Sequence, residues 1–456
     1  MGNPMFTYDP AMGEAIFDYC RGRLSLDPVP LDYGGIGVDP AVPIEGLLNE
    51  HGNDPVKVME IFADHLATAI VSIDSPRFLA FIPNAPTKAS LLFDMVVSCS
   101  SLNGTSYLES AGVVVAENQL LSFLAERAGM PSSSGGTFVS GGSLGNLSAL
   151  AVARDDGRRN HPGVDPRRLR VAISEEAHSS VGSALHLLGM DPLLVPTTDH
   201  QMFGDALAAT LDADADATSV VAVVATAGTT NAGIVDDLEG LGQVARDRKL
   251  WFHVDAAYGG AAMLGRARRD LFYGMRHADS FIVDPHKWLF APLDCCALIY
   301  RDPRLARTTH TQHASYLDVL HVQDDGGEVE WNPSDYAVHL SRRARGLPMW
   351  YSLAVHGTEM YADAIDRSVD NAVASAALIA AQDHVELIRD PMLSIVLFRR
   401  KGWAPGDYDA WSRRLLADQV AFVTPTKWEG ETVARFAFLH PDTTMEMVAA
   451  ILDSMR

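Results

Sequence analysis

Side chains capable of acid-base or covalent chemistry follow four short apolar segments in the middle of the chain. The segments are residues 169–174, 219–226, 250–255 and 280–283. At or just after their ends stand His178, Thr226, Asp255 and Lys287, which supply an imidazole, a hydroxyl, a carboxylate and an amine. Together such groups can bind a small polar ligand, move protons and form a covalent bond through the amine.

Lys287 is the candidate nucleophile among these residues. It follows Asp284, Pro285 and His286 and precedes the apolar run Trp-Leu-Phe. We expect this apolar flank to lower the pKa of the ammonium group toward reactivity. For a lysine taken singly, the alternative is a solvated side chain at the exit of a strand.

Two of the polar residues lie on one predicted strand. Alternation within residues 250–255 puts His253 and Asp255 on the same face. With Asp284 and His286 they could be read as metal ligands, but their spacing matches no familiar ligand pattern. We therefore expect no metal, and a buried carboxylate at a strand end.

A glycine-rich turn precedes a helical pattern at residues 135–154. Gly142 and Ser143 stand at the start of this helix, where backbone amides and a hydroxyl bind phosphate groups well. No Gly-Lys-Ser/Thr follows, so the turn is not a nucleotide P-loop. A purely structural turn is the alternative.

These features together predict a cofactor site. A phosphate anchor, the flat ring of His178, the anion of Asp255 and the amine of Lys287 are the four parts needed to hold pyridoxal phosphate (PLP). The combination favours PLP over the alternatives that apply to each residue alone.

The order of elements predicts an α/β fold. Apolar β-branched runs alternate with stretches of 3.6-residue periodicity such as residues 179–188 and 237–248, which indicates a mainly parallel sheet with its site at the carboxyl ends of the strands. We divide the chain into an N-terminal arm or cap (1–87, with one helix at 55–71), a large domain (88–350) and a small α+β domain (351–456). The polar stretch 304–336, with Asp-Asp-Gly-Gly at 324–327, is predicted to be a mobile functional loop.

Composition limits the partners and the compartment. The net charge of −22 disfavours nucleic acid and anionic lipid surfaces. Four cysteines, two of them adjacent, do not form a disulfide or zinc framework. No apolar run suggests a signal peptide or a membrane span, so we expect a cytoplasmic protein.

Several segments resemble a known enzyme family. They are GGTFVSGGSLGNLSALAVAR, SEEAHSSV, ATAGTTNAGIVDDL, WFHVDAAYGG and DPHKWLFAPLDCCALIYR. They are similar to the group II PLP-dependent amino-acid decarboxylases, closest in character to the aromatic-L-amino-acid enzymes, and the match runs in order from residue 76 to 441. The resemblance implies the aspartate-aminotransferase-like fold type I and a homodimer whose active sites are shared between subunits.

The resemblance also implies roles for individual residues. Lys287 matches the lysine that forms the Schiff base with PLP, Asp255 the partner of the pyridine nitrogen, and His178 the residue stacked on the ring. The other positions matching the cofactor site are Gly142, Ser143, Thr226, Ala257 and His286.

Tyr316 matches the tyrosine of the family's mobile loop, which protonates the substrate α-carbon. In relatives that make aldehydes with oxygen, this position resembles phenylalanine instead. Tyrosine at position 316 therefore favours simple decarboxylation to amine and CO₂. The alternative is an ordinary loop aromatic.

The resemblance also covers four arginines. Arg435 matches an arginine near the active site, and Arg342, Arg343 and Arg345 match a basic cluster after the loop. For all four, the alternative is a solvated surface charge.

The substrate is expected to be an aromatic or similar L-amino acid. Residues 76–83 resemble a pocket segment in which Phe78, Phe81, Ile82 and Pro83 would contact the substrate ring, with core packing as the alternative. Glu109 departs from the aromatic enzymes and either faces the pocket, suiting a cationic or hydroxylated substrate, or is a surface acid. An oxygen-dependent aldehyde synthase, a decarboxylase of acidic or other polar amino acids, and a PLP-binding protein without activity remain alternatives.

Overall fold

The computed structural model describes residues 3–31, 41–321 and 330–456. The helices are α1 (Pro10–Leu24), α2 (Pro55–Ile61), α3 (Lys88–Cys99), α4 (Tyr107–Arg127), α5 (Gly142–Asn160), α6 (Ser179–Leu188), α7 (Gly204–Ala213), α8 (Leu238–Arg248), α9 (Pro303–His310), α10 (Leu347–Ala380), α11 (Pro405–Ala417) and α12 (Met445–Asp453). The strands are β1 (Gly135–Val139), β2 (Arg170–Ile173), β3 (Asp191–Leu194), β4 (Val220–Thr226), β5 (Trp251–Asp255), β6 (Ser280–Val283), β7 (Cys296–Tyr300), β8 (Val385–Leu387), β9 (Ile395–Arg400), β10 (Thr426–Trp428) and β11 (Glu431–Ala437).

Strands β1 to β7 form one sheet in the spatial order β1-β7-β6-β5-β4-β2-β3. The pairs β2–β3, β2–β4, β4–β5 and β5–β6 are parallel, whereas β7 runs antiparallel to its neighbours β1 and β6. Strands β4, β5 and β6 are buried along their whole length, as expected when both faces are covered. The predicted α/β fold with a mainly parallel sheet is confirmed.

Helices cover the two faces of this sheet with separate apolar cores. Leu150 of α5 and Val181 of α6 pack on one face. Leu207 of α7 and Leu241 of α8 pack on the other. The cover stops at the carboxyl ends of the parallel strands, so the residues that follow β4, β5 and β6 border an open crevice.

A smaller antiparallel sheet follows, in the order β10-β11-β9-β8. Trp411 of α11 and Ile451 of α12 pack on it, which gives the predicted α+β unit. Helix α10 passes through the predicted boundary at residue 350, and its non-helical residue is Gly357, with φ of 76°. The division at residues 87 and 350 stays a prediction.

The sequence pattern missed or misplaced several elements. The N-terminal 87 residues contain α1 as well as the predicted helix, and the regular α-helix predicted to continue to residue 71 ends at Ile61 before tighter and wider turns. Residues 135–139, read as part of a glycine-rich turn, form the strand β1. Its glycines lower strand propensity, but Gly136 is needed because a Cβ there would lie 1.8 Å from the Leu298 carbonyl oxygen of β7.

The predicted functional loop is partly structured. It contains α9 and helical turns at Asp318–His321 and Pro333–Tyr336. The Asp-Asp-Gly-Gly sequence at 324–327 lies outside the described residues. In the part of the chain that the structure describes, no helix combines the length and apolar character needed to span a bilayer.

Candidate active site

The carboxyl ends of β4, β5 and β6 and the first turn of α5 enclose a cavity of about 320 Å³. The residues around it are Gly141, Gly142, Ser143, Asn146, Glu176, His178, Ser180, Thr226, Gly228, Thr230, Asp255, Ala257, Tyr258, Asp284, His286 and Lys287. All eight residues predicted to hold the cofactor are among them. The parallel sheet therefore brings together side chains that are up to 145 positions apart between Gly142 and Lys287.

The start of α5 forms one end of the cavity. Gly141 precedes the helix, so the unpaired amides of the first turn face the cavity beside the Ser143 hydroxyl. A Cβ on Gly142 would lie 3.1 Å from Asp284 Oδ2 and 3.3 Å from the Ala257 side chain. A side chain at position 142 would require these neighbours to shift, because the backbone approaches the opposite wall this closely, and the arrangement suits an anionic group.

Lys287 is paired with a buried carboxylate. Its Nζ lies 2.8 Å from Asp284 Oδ2, and the carboxylate is 1% exposed. Burial alone would lower the pKa of Lys287, but the attraction and hydrogen bond of Asp284 outweigh it and raise the pKa above its ordinary value. The predicted lowering of the Lys287 pKa is therefore wrong, because the sequence did not show the partner.

His286 lies against the same carboxylate. Its Nδ1 accepts a hydrogen bond from the backbone amide of Cys295 at 2.8 Å, which leaves Nε2 to face Asp284 Oδ2 at 3.6 Å. Burial lowers the pKa of His286 more than Asp284 raises it. The ring is thus neutral and carries its proton on Nε2.

Asp255 is the last residue of β5, and each of its carboxylate oxygens accepts a hydrogen bond. Oδ1 accepts from the Ala257 amide at 3.1 Å, and Oδ2 accepts from Asn146 Nδ2 at 2.8 Å. His253 lies behind it on the same face, as predicted, and is fully buried. The carboxylate is 5% exposed and borders the cavity, so it can face a ligand nitrogen.

His178 and Thr226 complete the wall. The His178 ring caps α6, and its Nδ1 accepts from the amide of Ser180. Thr226 Oγ1 is buried and has no hydrogen-bond partner among the described residues. An unpaired buried hydroxyl at the cavity wall is the state expected of a group that bonds to a ligand.

The pyridoxal-dependent decarboxylase conserved domain matches residues 43–401, most of the chain. The chain belongs to this family. An aromatic-L-amino-acid decarboxylase of Bacillus atrophaeus is 29% identical over 418 residues, covering 88% of this chain and 85% of the relative. An L-2,4-diaminobutyrate decarboxylase of Rhizobium meliloti (strain 1021) is also 29% identical and covers 84% and 78%. The crystal structure of Oryza sativa TDC with PLP and tryptamine superposes with a TM-score of 0.88 at 26% identity, covering 98% and 99%.

The enzyme is thus a PLP-dependent amino-acid decarboxylase of fold type I. Its cavity fits PLP on chemical grounds. The amides of Gly142 and Ser143 suit the phosphate end, while the buried Asp255 suits a protonated ring nitrogen. The orphaned Thr226 hydroxyl, on the strand beside Asp255, offers a further hydrogen bond. Lys287 offers the amine that PLP enzymes require, and the predicted cofactor is confirmed as PLP.

The residues predicted to contact substrate lie elsewhere in a single chain. Phe78, Ile82, Pro83 and Glu109 are outside the cavity wall formed by the described residues, as is Phe81, whose side chain is 59% exposed. Tyr316 is 71% exposed and also outside it. Their assignment to the site stays a prediction.

Glu109 has a structural task within its own chain. It stands in the first turn of α4, where its Oε2 accepts from the Ser106 hydroxyl at 2.7 Å and its amide donates to Ser106 Oγ. Asn103 donates to the other carboxylate oxygen at 2.8 Å. The side chain is exposed, so it serves as a helix-capping acid here.

Arg435 is buried, so the solvated alternative is wrong. The side chain lies on β11, is 4% exposed, and donates only to backbone carbonyls among the described residues. Nη1 donates to Phe81 O at 2.6 Å, Nε to Asn231 O at 3.1 Å, and Nη2 to Thr230 O. One guanidinium therefore joins the predicted substrate segment to Thr230 at the cavity wall.

The basic cluster at 342–345 pairs with carboxylates of other elements. Arg342 forms a buried ion pair with Glu117 of α4, so its solvated alternative is also wrong. Arg343 pairs with Asp94 of α3 at 2.7 Å, and Arg345 contacts Asp294. These ion pairs fix the chain that follows the 304–336 segment.

Sequence reasoning missed Asn146, Asp284, Glu176 and Tyr258 as parts of the site. Asn146 stands four residues after Gly142, one helical turn away, so it lies on the same face of α5. The sequence indicates Asp284 only as an alternative metal ligand, although this residue stands three residues before Lys287. In the described ranges, no group of three or more His, Cys, Asp or Glu side chains is arranged to hold a metal ion.

Proposed function

We propose that this enzyme decarboxylates an aromatic or similarly apolar L-amino acid to its amine and CO₂, as a cytoplasmic homodimer. The main support for this reaction is the placement of Lys287 and Asp255 in one cavity beside the glycine-rich start of α5. The similarity to the aromatic-L-amino-acid decarboxylase of Bacillus atrophaeus and to the rice structure with tryptamine supports the substrate class. The four cysteines are free thiols, which agrees with a reducing compartment.

An aromatic cluster supports the apolar substrate. The ring centres of Phe78 and Phe422 lie 5.0 Å apart, and those of Phe81 and Phe422 6.1 Å apart. Phe81 has φ of 52°, which a non-glycine residue adopts only under constraint, and Arg435 supplies that constraint through the Phe81 carbonyl. The exposed ring of Phe81 is thus held on a fixed backbone that is tied to the cavity wall.

Glu176 argues against a cationic substrate. It borders the cavity, but its Oε1 lies 2.6 Å from His200 Nδ1, and His200 Nε2 lies 3.1 Å from Glu429 Oε1. Burial would lower the pKa of His200, but the two carboxylates outweigh it and raise the pKa. Glu176 Oε1 is thus engaged by His200, so this carboxylate oxygen is not free to bind a substrate ammonium group.

The chemistry divides between cofactor and protein. Bound PLP supplies a conjugated ring that takes up the electrons released when CO₂ leaves. The Asp255 carboxylate would face the ring nitrogen of the cofactor and hold its proton, and the His178 ring would contact the cofactor from the cavity wall. Lys287 provides the covalent attachment, and Asp284 holds its amine at the cavity wall.

Tyr316 is proposed to donate a proton to the substrate α-carbon in the other subunit. In its own chain it lies outside the cavity, so the proposal requires two chains that exchange this segment. Closure of the segment over the site would also exclude water and oxygen from the reacting carbon. Retention of the proton donor is what separates amine formation from oxygen-dependent aldehyde formation.

Purified enzyme incubated with a panel of L-amino acids, while CO₂, amine, aldehyde and peroxide are measured, tests the reaction. We expect amine and CO₂ in equal amounts from an aromatic substrate and no product from Lys287→Ala. Tyr316→Phe should lose most amine formation, whereas Tyr273→Phe, at an exposed tyrosine away from the site, should not. Stoichiometric aldehyde and peroxide from the unaltered enzyme would contradict the proposal.

Mixing two inactive variants tests the shared site. In a dimer of one Lys287→Ala chain and one Tyr316→Phe chain, one site retains both functional groups only if the tyrosine comes from the other subunit. Random reassociation should then restore about a quarter of the activity of the unaltered enzyme, since half of the dimers are mixed and each has one intact site. No restoration, despite exchange of chains, would place Tyr316 in its own subunit's site.

A further inference from the structure

A chain of buried hydrogen bonds runs from the amino-terminal end of β5 to the active-site carboxylate. Trp251 Nε1 lies 2.9 Å from Ser280 Oγ, which lies 2.8 Å from His253 Nδ1. His253 Nε2 lies 2.9 Å from Asn146 Oδ1, and Asn146 Nδ2 lies 2.8 Å from Asp255 Oδ2. All five residues are at most 5% exposed, so this series of hydrogen bonds is shielded from water.

The residues at the two ends of this series fix the donor and the acceptor of every hydrogen bond in it. The indole N–H of Trp251 can only donate, and an ionised Asp255 can only accept. Asn146 must therefore turn its amide nitrogen to Asp255 and its oxygen to His253. It follows that His253 donates through Nε2, and that the Ser280 hydroxyl accepts from Trp251 and donates to His253 Nδ1.

This direction requires a neutral imidazole. Burial lowers the pKa of His253 to about 4, although the nearby Asp255 acts in the opposite sense. At neutral pH the ring therefore carries one proton, on Nε2. A proton on Nδ1 instead would leave Asn146 Oδ1 without its donor.

Asn146 also orients His178, the residue proposed to lie on the cofactor ring. Asn146 Nδ2 donates its second proton to Ser180 Oγ at 3.0 Å, and Ser180 Oγ lies 2.8 Å from His178 Nδ1. Because Ser180 accepts from Asn146, its own proton goes to His178. Asp255 and His178 are thus both held by one amide group.

We propose that His253 is a positioning residue, which as the Nε2–H tautomer fixes the amide orientation of Asn146 and through it aligns Asp255 and His178 with the cofactor. This inference rests on the proposed roles of Asp255 and His178. If the amide turned over, its oxygen would face the Asp255 carboxylate, and the two hydrogen bonds that leave Asn146 Nδ2 would both be lost.

Two substitutions at His253 separate positioning from packing. His253→Gln keeps an N–H donor near the position of Nε2, whereas His253→Leu removes it and keeps an apolar volume. We expect His253→Leu to bind PLP and to turn over substrate about ten- to a hundredfold less well, because Asn146 Oδ1 loses its donor and the amide that donates to the Asp255 carboxylate is no longer held in place. His253→Gln should restore both to within about threefold, and the bound-PLP absorption band should follow the same order.

A second buried histidine provides the control. His310 on α9 is 7% exposed and bonds through Nε2 to the Ser148 carbonyl, outside the chain of hydrogen bonds. His310→Gln should leave PLP affinity and the absorption band unchanged even if thermal stability falls. Equal losses of PLP affinity in His253→Gln and His253→Leu, or no loss in His253→Leu, would overturn the proposal.

Nitrogen-15 NMR of the unaltered protein without cofactor tests the tautomer directly. The resonance that disappears in His253→Gln should report a proton on Nε2 at pH 7. A proton on Nδ1, or on both nitrogens, would overturn the proposal whether or not the leucine variant folds. Both this tautomer and the PLP affinity are measured without substrate, so they remain decisive even if the proposed decarboxylation fails its own test.

Discussion

Removing one charge of the buried Glu117–Arg342 pair should destabilise the enzyme strongly. Arg342 Nη2 lies 2.7 Å and 2.6 Å from the two Glu117 oxygens, and the side chains are 1% and 2% exposed. Glu117 Oε1 also accepts from the Gly346 amide at 2.8 Å. Glu117→Gln preserves the shape and the bond to Gly346 but leaves a buried guanidinium without its counter-charge.

The expected loss is about 3–5 kcal/mol of the free energy of unfolding, the cost typical of an uncompensated buried charge. Arg342→Met in the Glu117→Gln background removes that charge, so the double variant should be more stable than Glu117→Gln by about 2 kcal/mol. Glu14→Gln, which breaks an exposed pair with Arg21, should change the free energy by at most about 0.5 kcal/mol.

Urea unfolding of the four proteins at one pH and one protein concentration gives these values, provided that the m-value does not change. The reasoning fails if Glu117→Gln costs less than about 1 kcal/mol. It fails equally if Arg342→Met adds a further loss to Glu117→Gln instead of relieving it, since the penalty would then not come from the unpaired charge.

Three other outcomes follow from the structure. Gly136→Ala should lower the free energy of unfolding by about 3 kcal/mol or abolish folding because its Cβ would overlap the Leu298 carbonyl, whereas Gly406→Ala, with open space around it, should not; urea unfolding and soluble yield distinguish them. Asp284→Asn should lower the Lys287 pKa, since burial is then opposed mainly by the more weakly acting Asp255, and the pH midpoint of PLP uptake by the apoenzyme should fall; an unchanged midpoint would contradict the pairing. The unfolded chain binds a proton at His253 below pH 6.5 but the folded protein only near pH 4, so the free energy of unfolding should fall with decreasing pH by about 3 kcal/mol in total from this group. About 1 kcal/mol of that loss lies between pH 7.5 and 5.5, and it should be missing in His253→Gln.

The parts of the fold that the sequence predicted are those in which local pattern and burial agree. Strands β4 to β6 are mostly apolar because they are covered on both faces, and polar residues mark their carboxyl ends. That was enough to place His178, Asp255 and Lys287 at one crevice. Strand β1 was not predicted because its two glycines are required by close contacts with Trp331 and with Leu298 of β7, long-range contacts that leave no periodic signal.

The parts of the site that could not be predicted depend on contacts between distant segments. Lys287 is followed by apolar residues, which suggested a lowered pKa, but the sign is set by the geometry of Asp284 in the folded chain. The direction of Asn146 depends on residues more than 100 positions away. In the proposed dimer, the positions of Phe81 and Tyr316 relative to a substrate would depend further on a second chain.

Arg435 has a consequence for how such an enzyme can change. The guanidinium binds the carbonyl oxygens of residues 81, 230 and 231, and every amino acid carries that oxygen. Substitution at these three positions therefore leaves the hydrogen bonds from Arg435 in place while it changes the side chains. Specificity can diverge over evolutionary time by exchange of side chains on an unchanged backbone path, and only loss of the arginine itself would release that path.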